Sequence, residues 1–173
     1  FYCIHSTRDE ADGEFRSLGH RMQHMDEAFF EKIIRELKEF PQGGIKRIVF
    51  SGLGEPLMNP RLPDYVRMTV EAGIAGRVEV ITNGLLLTPE KSSALVAAGI
   101  TNINISVQGL DAAGDEGICG IRIDFERYLE NLKYLYEHKG NVQIYIKAID
   151  ATLKTKENEE KFFRIFSPFA DRI

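Results

Sequence analysis

Cysteine is scarce in this chain: 173 residues contain two, Cys3 and Cys119. Thiols so far apart make no disulfide framework, and a reducing cytoplasm is the default compartment for such a chain. No stretch approaches the roughly 18 consecutive apolar residues of a membrane span. The first residues lack the basic and apolar regions of a signal peptide. Charge of one sign is scarce as well. Lys and Arg number 22 against 26 Asp and Glu, a net charge of −4, which argues against broad binding to a nucleic-acid backbone. Low-complexity tracts and strong internal repeats are absent. The expected partners are therefore neither nucleic acid nor membrane.

What is present is an apolar fraction of 43%, enough for one sizeable core. Four stretches read as strands: IKRIVF (45–50), VEVIT (78–82), NINISV (102–107) and VQIYIKAI (142–149). They are rich in β-branched residues and bounded by Gly, Asn or Pro. Helical patterns lie between them. At 26–40, Phe29, Phe30, Ile33, Ile34 and Leu37 share one face. A second helix is expected to start at Asn59 as N-cap with Pro60 in the first turn, to bury Leu62, Tyr65, Val66, Thr69 and Val70, and to stop at Gly73. Thr88 and Pro89 open a third helix that ends at Gly99, and Asp124 caps a fourth. A fifth covers 156–166 and is stopped by Pro168, with FADRI entering another strand. Strand and helix alternate on the scale of a parallel crossover unit. The fold class is α/β with a mostly parallel sheet, as a doubly wound sheet or as part of a barrel.

In either arrangement, ligands sit beyond the carboxyl ends of the strands. The first strand is followed by SGLGEP. Gly52 and Gly54 allow a tight turn, Glu55 stands as an acceptor for a cationic group, and Pro56 stiffens the turn. The second is followed by Thr82-Asn83-Gly84. The third carries Ser106 and Gln108 near its end, and the fourth holds Lys147 inside an apolar run. Each has a plainer reading. TNG is a common turn, Ser106 and Gln108 suit a structural role, and Lys147 fits a half-buried strand lysine that reaches water with its head. His5, His20 and His24 lack an acidic or cysteine partner for a metal site and read as loop residues.

The order of these motifs resembles the radical S-adenosylmethionine (radical SAM) enzymes: Cys3 followed closely by a helix, then SGLGEP, ITNG, INISVQG and IYIKAID. The resemblance covers essentially the whole chain. It leans toward the SPASM-type branch, which often carries a cysteine-rich auxiliary-cluster domain and includes peptide-modifying maturases. It implies a partial (β/α) barrel of parallel strands with alternating helices, and an enzyme using a 4Fe–4S cluster and S-adenosylmethionine (SAM). Three thiolates in a C-x-x-x-C-x-x-C loop hold such a cluster. Tyr2 and Cys3 resemble the last two positions of that loop, so Cys3 is the implied metal ligand and Tyr2 packs near the adenine. Gly54, Glu55 and Pro56 match the family's Gly-Gly-Glu-Pro motif, with Gly52 in the same turn, and Glu55 receives the methionine amino group. By the same resemblance Asn83 and Ser106 contact ribose or carboxylate, Gln108 joins the cofactor-binding residues, and Lys147 neutralises the SAM carboxylate. The implied chemistry is reductive cleavage of SAM to a 5′-deoxyadenosyl radical that takes a hydrogen atom from a substrate, with a peptide among the candidates.

The sequence departs from that pattern in its cysteines, because two cluster ligands are missing. Residues 1–173 are expected to be one radical SAM core fragment whose first strand lies upstream. Residues 1–25 are expected to be a flexible remnant of the cluster loop, and the chain as written to be inactive and cluster-free. Cys119 is expected to be a small buried apolar residue. Two other readings stay open: a barrel enzyme with Lys147 as Schiff-base nucleophile, and a non-catalytic SAM-binding or interaction module.

Overall fold

The computed structural model describes residues 24–41, 43–52, 54–119, 122–150 and 152–173. Their elements are α1 (Glu27–Leu37), β1 (Ile48–Phe50), α2 (Leu62–Glu71), β2 (Val78–Thr82), α3 (Pro89–Ala97) and β3 (Asn102–Val107), followed by α4 (Ala112–Cys119), α5 (Phe125–His138), β4 (Gln143–Ala148) and α6 (Lys156–Phe166). Short 3₁₀ turns occupy Pro56–Met58 and Ser167–Phe169.

The strands form one parallel sheet in the order β1-β2-β3-β4. A doubly wound sheet reverses direction at a switch point, whereas a barrel adds each strand beside the last. The described strands never reverse, so the barrel-type arrangement holds. The register extends it: Arg172 pairs in parallel with Tyr145 at the far edge of β4, as the FADRI reading expects.

Side chains alternate across the sheet. Val78, Val80, Ile103, Ile105, Ile144 and Ile146 point to one face and are buried against Leu62 and Val66 of α2, Leu95 of α3, Leu132 and Leu135 of α5, and Phe162 and Phe166 of α6. The opposite face carries Glu79, Asn102, Asn104, Ser106, Tyr145 and Lys147 on matching rungs. One face is thus apolar and helix-covered, and the other is rich in polar groups. Glu79, 3% exposed, sits on the polar face with Arg47 Nη1 3.3 Å and Arg77 Nη1 3.8 Å from its carboxylate.

Helix starts follow their caps. Asp26, Thr88, Asp124 and Thr155 accept the N–H groups of Phe29, Lys91, Arg127 and Asn158. The start of α2 is a correction. Asn59 Oδ1 accepts the Arg61 N–H at 2.9 Å and so makes a local turn; Arg61 is the N-cap and Pro63 lies in the first turn. Val70 is 37% exposed, and on α1 Phe29 is 52% exposed while Phe30 and Ile34 are buried. Strand β1 is shorter than expected because its pairing begins only where the Ile48 N–H meets the Arg77 carbonyl. Helix α4 has no counterpart in the sequence reading; Asp111 Oδ1 accepts the Gly114 N–H at 2.8 Å and holds its first turn.

Candidate functional site

The carboxyl ends of the strands gather most of the expected residues. Beyond β1 the chain passes Gly52 and Gly54, both exposed, and reaches Glu55. A Cβ at Gly52 would meet nothing within 4 Å, so the backbone there borders open space. Glu55 then caps the Pro56–Met58 turn, its Oε1 accepting the Leu57 N–H at 3.0 Å.

The same carboxylate reaches across to β2. Thr82 Oγ1 donates to Glu55 Oε1 at 2.6 Å, and the Asn83 N–H donates to Oε2 at 2.9 Å. The Gly84 N–H donates to Thr82 Oγ1 at 2.9 Å, which directs the threonine proton toward Glu55. Glu55 therefore takes three donors and ties the end of β1 to the end of β2. A carboxylate has about four acceptor positions, so one remains on Oε2. Asn83 folds its own turn through Oδ1, which accepts the Leu85 N–H at 2.9 Å, and its carbonyl accepts the Tyr128 hydroxyl proton at 3.3 Å. Gly84 has φ of 78°, and a Cβ there would lie 3.0 Å from Ile105 Cγ2 and 3.2 Å from Tyr128 Cε2. Glycine is required by both conformation and space.

One step beyond Thr82 and Ile105, which share a rung, come Asn83 and Ser106. Ser106 in turn pairs with Lys147. Asn83, Ser106 and Lys147 thus stand at one level near the end of the polar face, on strands about 4.8 Å apart. Lys147 is exposed, the outcome of strand alternation within an apolar run. The Gln108 amide is oriented by its Nε2, which donates to the Ser106 carbonyl at 3.4 Å. Its Oε1 is buried and takes no donor in the structure. Thr152 Oγ1 donates to the Gln108 carbonyl at 2.6 Å, joining the loops after β3 and β4.

Asp111 lies just past this point, with Lys161 Nζ 2.5 Å from its Oδ2. That hydrogen bond, with the one from the Gly114 N–H, holds the Asp111 carboxyl below the usual carboxylate range. The hollow at the end of α1, lined by Glu36, Glu39, Phe40 and Pro41, draws on none of these residues.

Sequence reading missed three contributors. Thr82 was read as a strand end and part of a turn, without a role; Lys91 and Thr152 act across 34 and 44 residues of sequence, where no local pattern exists. Tyr2 and Cys3 lie outside the described residues, as do His5 and His20. The side chain of Cys119 is likewise not described. Among the described residues no group of three His, Cys, Asp or Glu side chains is placed to hold a metal ion. No helix among them is long and apolar enough to cross a membrane.

The rim's donor set suits the groups of SAM. Glu55 Oε2 has room for an ammonium proton, Lys147 offers a cation, and Gln108 Oε1 lacks a donor. The described residues provide no comparable thiolate set for a 4Fe–4S cluster.

Comparisons with known proteins agree with this architecture. The AdoMet-dependent heme synthase of Nitratidesulfovibrio vulgaris is 30% identical over 127 residues, covering 73% of this chain and 32% of that protein. The tungsten-containing aldehyde ferredoxin oxidoreductase cofactor-modifying protein of Pyrococcus furiosus is 31% identical over 140 residues, covering 78% and 36%. The PqqA peptide cyclase of Streptomyces rochei is 36% identical over 80 residues, covering 46% and 21%. The chain spans about a third of the length of the first two of these relatives. Among solved structures, BtrN in complex with AdoMet and 2-DOIA superposes with a TM-score of 0.51 at 23% identity, covering 73% of this chain and 46% of that one. TYW1 with a lysine-pyruvate adduct bound gives 0.54 at 21% identity, covering 82% and 53%. These two likenesses speak to the fold. Residues 1–166 match the model of the Radical SAM superfamily, so the singly wound parallel sheet with its Glu55 rim belongs to a member of that family.

Proposed function

We propose that this chain binds SAM at the carboxyl rim of its sheet and forms the core of an enzyme that cleaves SAM reductively to modify a substrate. The observation that carries this is the Glu55–Thr82–Asn83 lock, at the carboxyl ends of a parallel sheet, where such folds bind their ligands. In this reading Glu55 uses its remaining acceptor position on Oε2 for the methionine ammonium. Asn83 and Ser106 face the ribose or carboxylate, Gln108 Oε1 takes a ligand N–H donor, and Lys147 neutralises the carboxylate. Gly52, Gly54 and Pro56 keep the turn tight and close to the ligand, and Tyr2 packs near the adenine.

Cys3 is the residue of this chain suited to a 4Fe–4S cluster, by the softness and charge of its thiolate. The bound cofactor pair supplies one-electron cleavage of the SAM sulfonium and a carbon radical able to remove a hydrogen atom. The chain's own residues orient SAM and exclude water. The peptide cyclase and heme synthase relatives make a peptide or a tetrapyrrole the first substrate classes to try. A cytoplasmic setting follows from the scarcity of cysteine.

Equilibrium dialysis with labelled SAM tests the binding claim. The wild-type chain is expected to take up one SAM with saturation, and Lys147→Gln to weaken it about tenfold, the equivalent of about 1.4 kcal/mol. Absence of saturable uptake overturns the reading. Anaerobic reconstitution with iron and sulfide is a second test. With Cys3 and Cys119 its only cysteines, the 173-residue chain is expected to hold no stoichiometric cluster.

A further inference from the structure

The turn that carries Glu55 is gripped from two sides. On its inner side Glu55 bonds Thr82 and Asn83. On its outer side Lys91, from the first turns of α3, donates to the Leu57 carbonyl at 2.7 Å. Within the turn, the Glu55 carbonyl accepts the Met58 N–H and the Pro56 carbonyl accepts the Asn59 N–H, each at 3.0 Å. The Leu57 carbonyl is the next in line, and Lys91 is the donor that satisfies it. Carbonyls at the end of a helical turn need such a partner.

The rest of the contact is mostly apolar. Lys91 lines a narrow hollow with Leu57, Asn59, Pro60, Leu62, Pro63 and Leu95, and Leu57 is 2% exposed. An ammonium held at a part-buried carbonyl exerts more force than one in water, because charge-assisted hydrogen bonds strengthen as water is excluded. Residues 82–91 of the β2–α3 unit therefore hold the β1–α2 turn at both ends. Glu55 restrains the start of the turn and Lys91 its close.

We propose that Lys91 is a positioning residue for the ligand at the rim: by holding the Leu57 carbonyl from α3 it keeps Glu55 and the backbone at Gly52 and Gly54 in the arrangement that takes up SAM. The inference rests on the reading given under Proposed function. Lys91 itself, on the outer helix layer, makes no contact with the ligand. It acts through the turn.

The test compares Lys91→Met, Lys91→Arg and Lys139→Met with the wild-type chain. Lys139 pairs with Asp171 at the far side of β4 and serves as a stability control. Amide hydrogen exchange at Leu57, Met58 and Asn59 reads the turn without any ligand, and dialysis with labelled SAM reads binding. Lys91→Met is expected to speed exchange at those three amides roughly tenfold, the equivalent of about 1.4 kcal/mol, leave the β3 amides unchanged, and weaken SAM binding by a similar factor. Lys91→Arg keeps a donor on a long stem and is expected to restore both. Lys139→Met is expected to lower Tm without weakening SAM binding. Unchanged exchange at 57–59 in Lys91→Met overturns the proposal. So does an equal loss of SAM affinity in Lys139→Met at the same drop in Tm. A wild-type chain that takes up no SAM overturns the functional reading instead, and the exchange data still judge the clamp.

Discussion

Replacing Glu55 by Gln isolates what its second oxygen and its charge contribute. The wild-type carboxylate accepts from the Leu57 N–H, the Thr82 hydroxyl and the Asn83 N–H. A glutamine has one oxygen and one NH₂ group. Its oxygen can keep Leu57 and Thr82, but the NH₂ then faces the Asn83 N–H, donor against donor. Turning the amide over spares Asn83 but sets the NH₂ against the Leu57 N–H and makes Thr82 Oγ1 accept where it had donated. The better arrangement loses one charge-assisted hydrogen bond and leaves a part-buried N–H without an acceptor, a cost of roughly 2–3 kcal/mol. For a chain of this size each kcal/mol lowers Tm by about 2–4 °C, so Glu55→Gln is expected to melt roughly 4–12 °C below wild type. Thermal and urea denaturation followed by circular dichroism measure this. Thr82→Val completes a cycle, because the Thr82 hydroxyl bond that Gln keeps is no longer charge-assisted. The double variant is expected to lose less than the sum of the singles by about 0.5–1 kcal/mol. A Glu55→Gln melting point within a degree of wild type, together with additive losses, refutes the lock.

Other consequences follow from the same geometry. Gly84→Ala forces a side chain into a left-handed conformation and against Ile105 and Tyr128; it is expected to destabilise by roughly 2–4 kcal/mol in urea titration. Asp171 responds to pH. Burial pushes its carboxyl up most strongly, but the Ile144 N–H and Lys139 together outweigh burial and hold it below the usual range. Its contribution is therefore present above the ordinary aspartate value of about 3.9 and is lost as pH falls through the lower folded value. Asp171→Asn is expected to flatten the acid limb of the stability profile below about pH 4 while lowering stability at neutral pH by about 1.5–3 kcal/mol.

Much of the fold is legible because local signals and tertiary structure agree. Val78–Thr82 and Asn102–Val107 are β-branched runs bounded by Gly and Asn, and the structure keeps both boundaries. Thr88, Asp124 and the glycine at 99 work as written. The errors fall where pairing or long-range contacts decide. Ile45 to Arg47 look like strand, yet pairing to β2 begins only at Ile48. Asn59 has the chemistry of a cap but spends it on Arg61 two residues later. Helix α4 holds Gly114 and Gly117, which weaken its local signal, and depends on Asp111.

The place of Glu55, Asn83, Ser106 and Lys147 at the carboxyl rim was legible because each sits at or near a strand end, where alternation and register put it. The donors that hold Glu55, and Lys91 behind its turn, depend on which loop lies beside which. That neighbourhood is set by sheet order and helix packing, and no residue spacing encodes it.

The account stands most directly on the location of the SAM site, which amide chemical-shift mapping measures. On titration of the isotopically labelled chain with SAM, saturable shifts are expected at Gly52, Gly54, Glu55, Asn83, Gly84, Ser106, Gln108 and Lys147. Shifts confined to the opposite strand ends, around Arg47, Arg77 and Gly140, or no saturable shifts at all, contradict it.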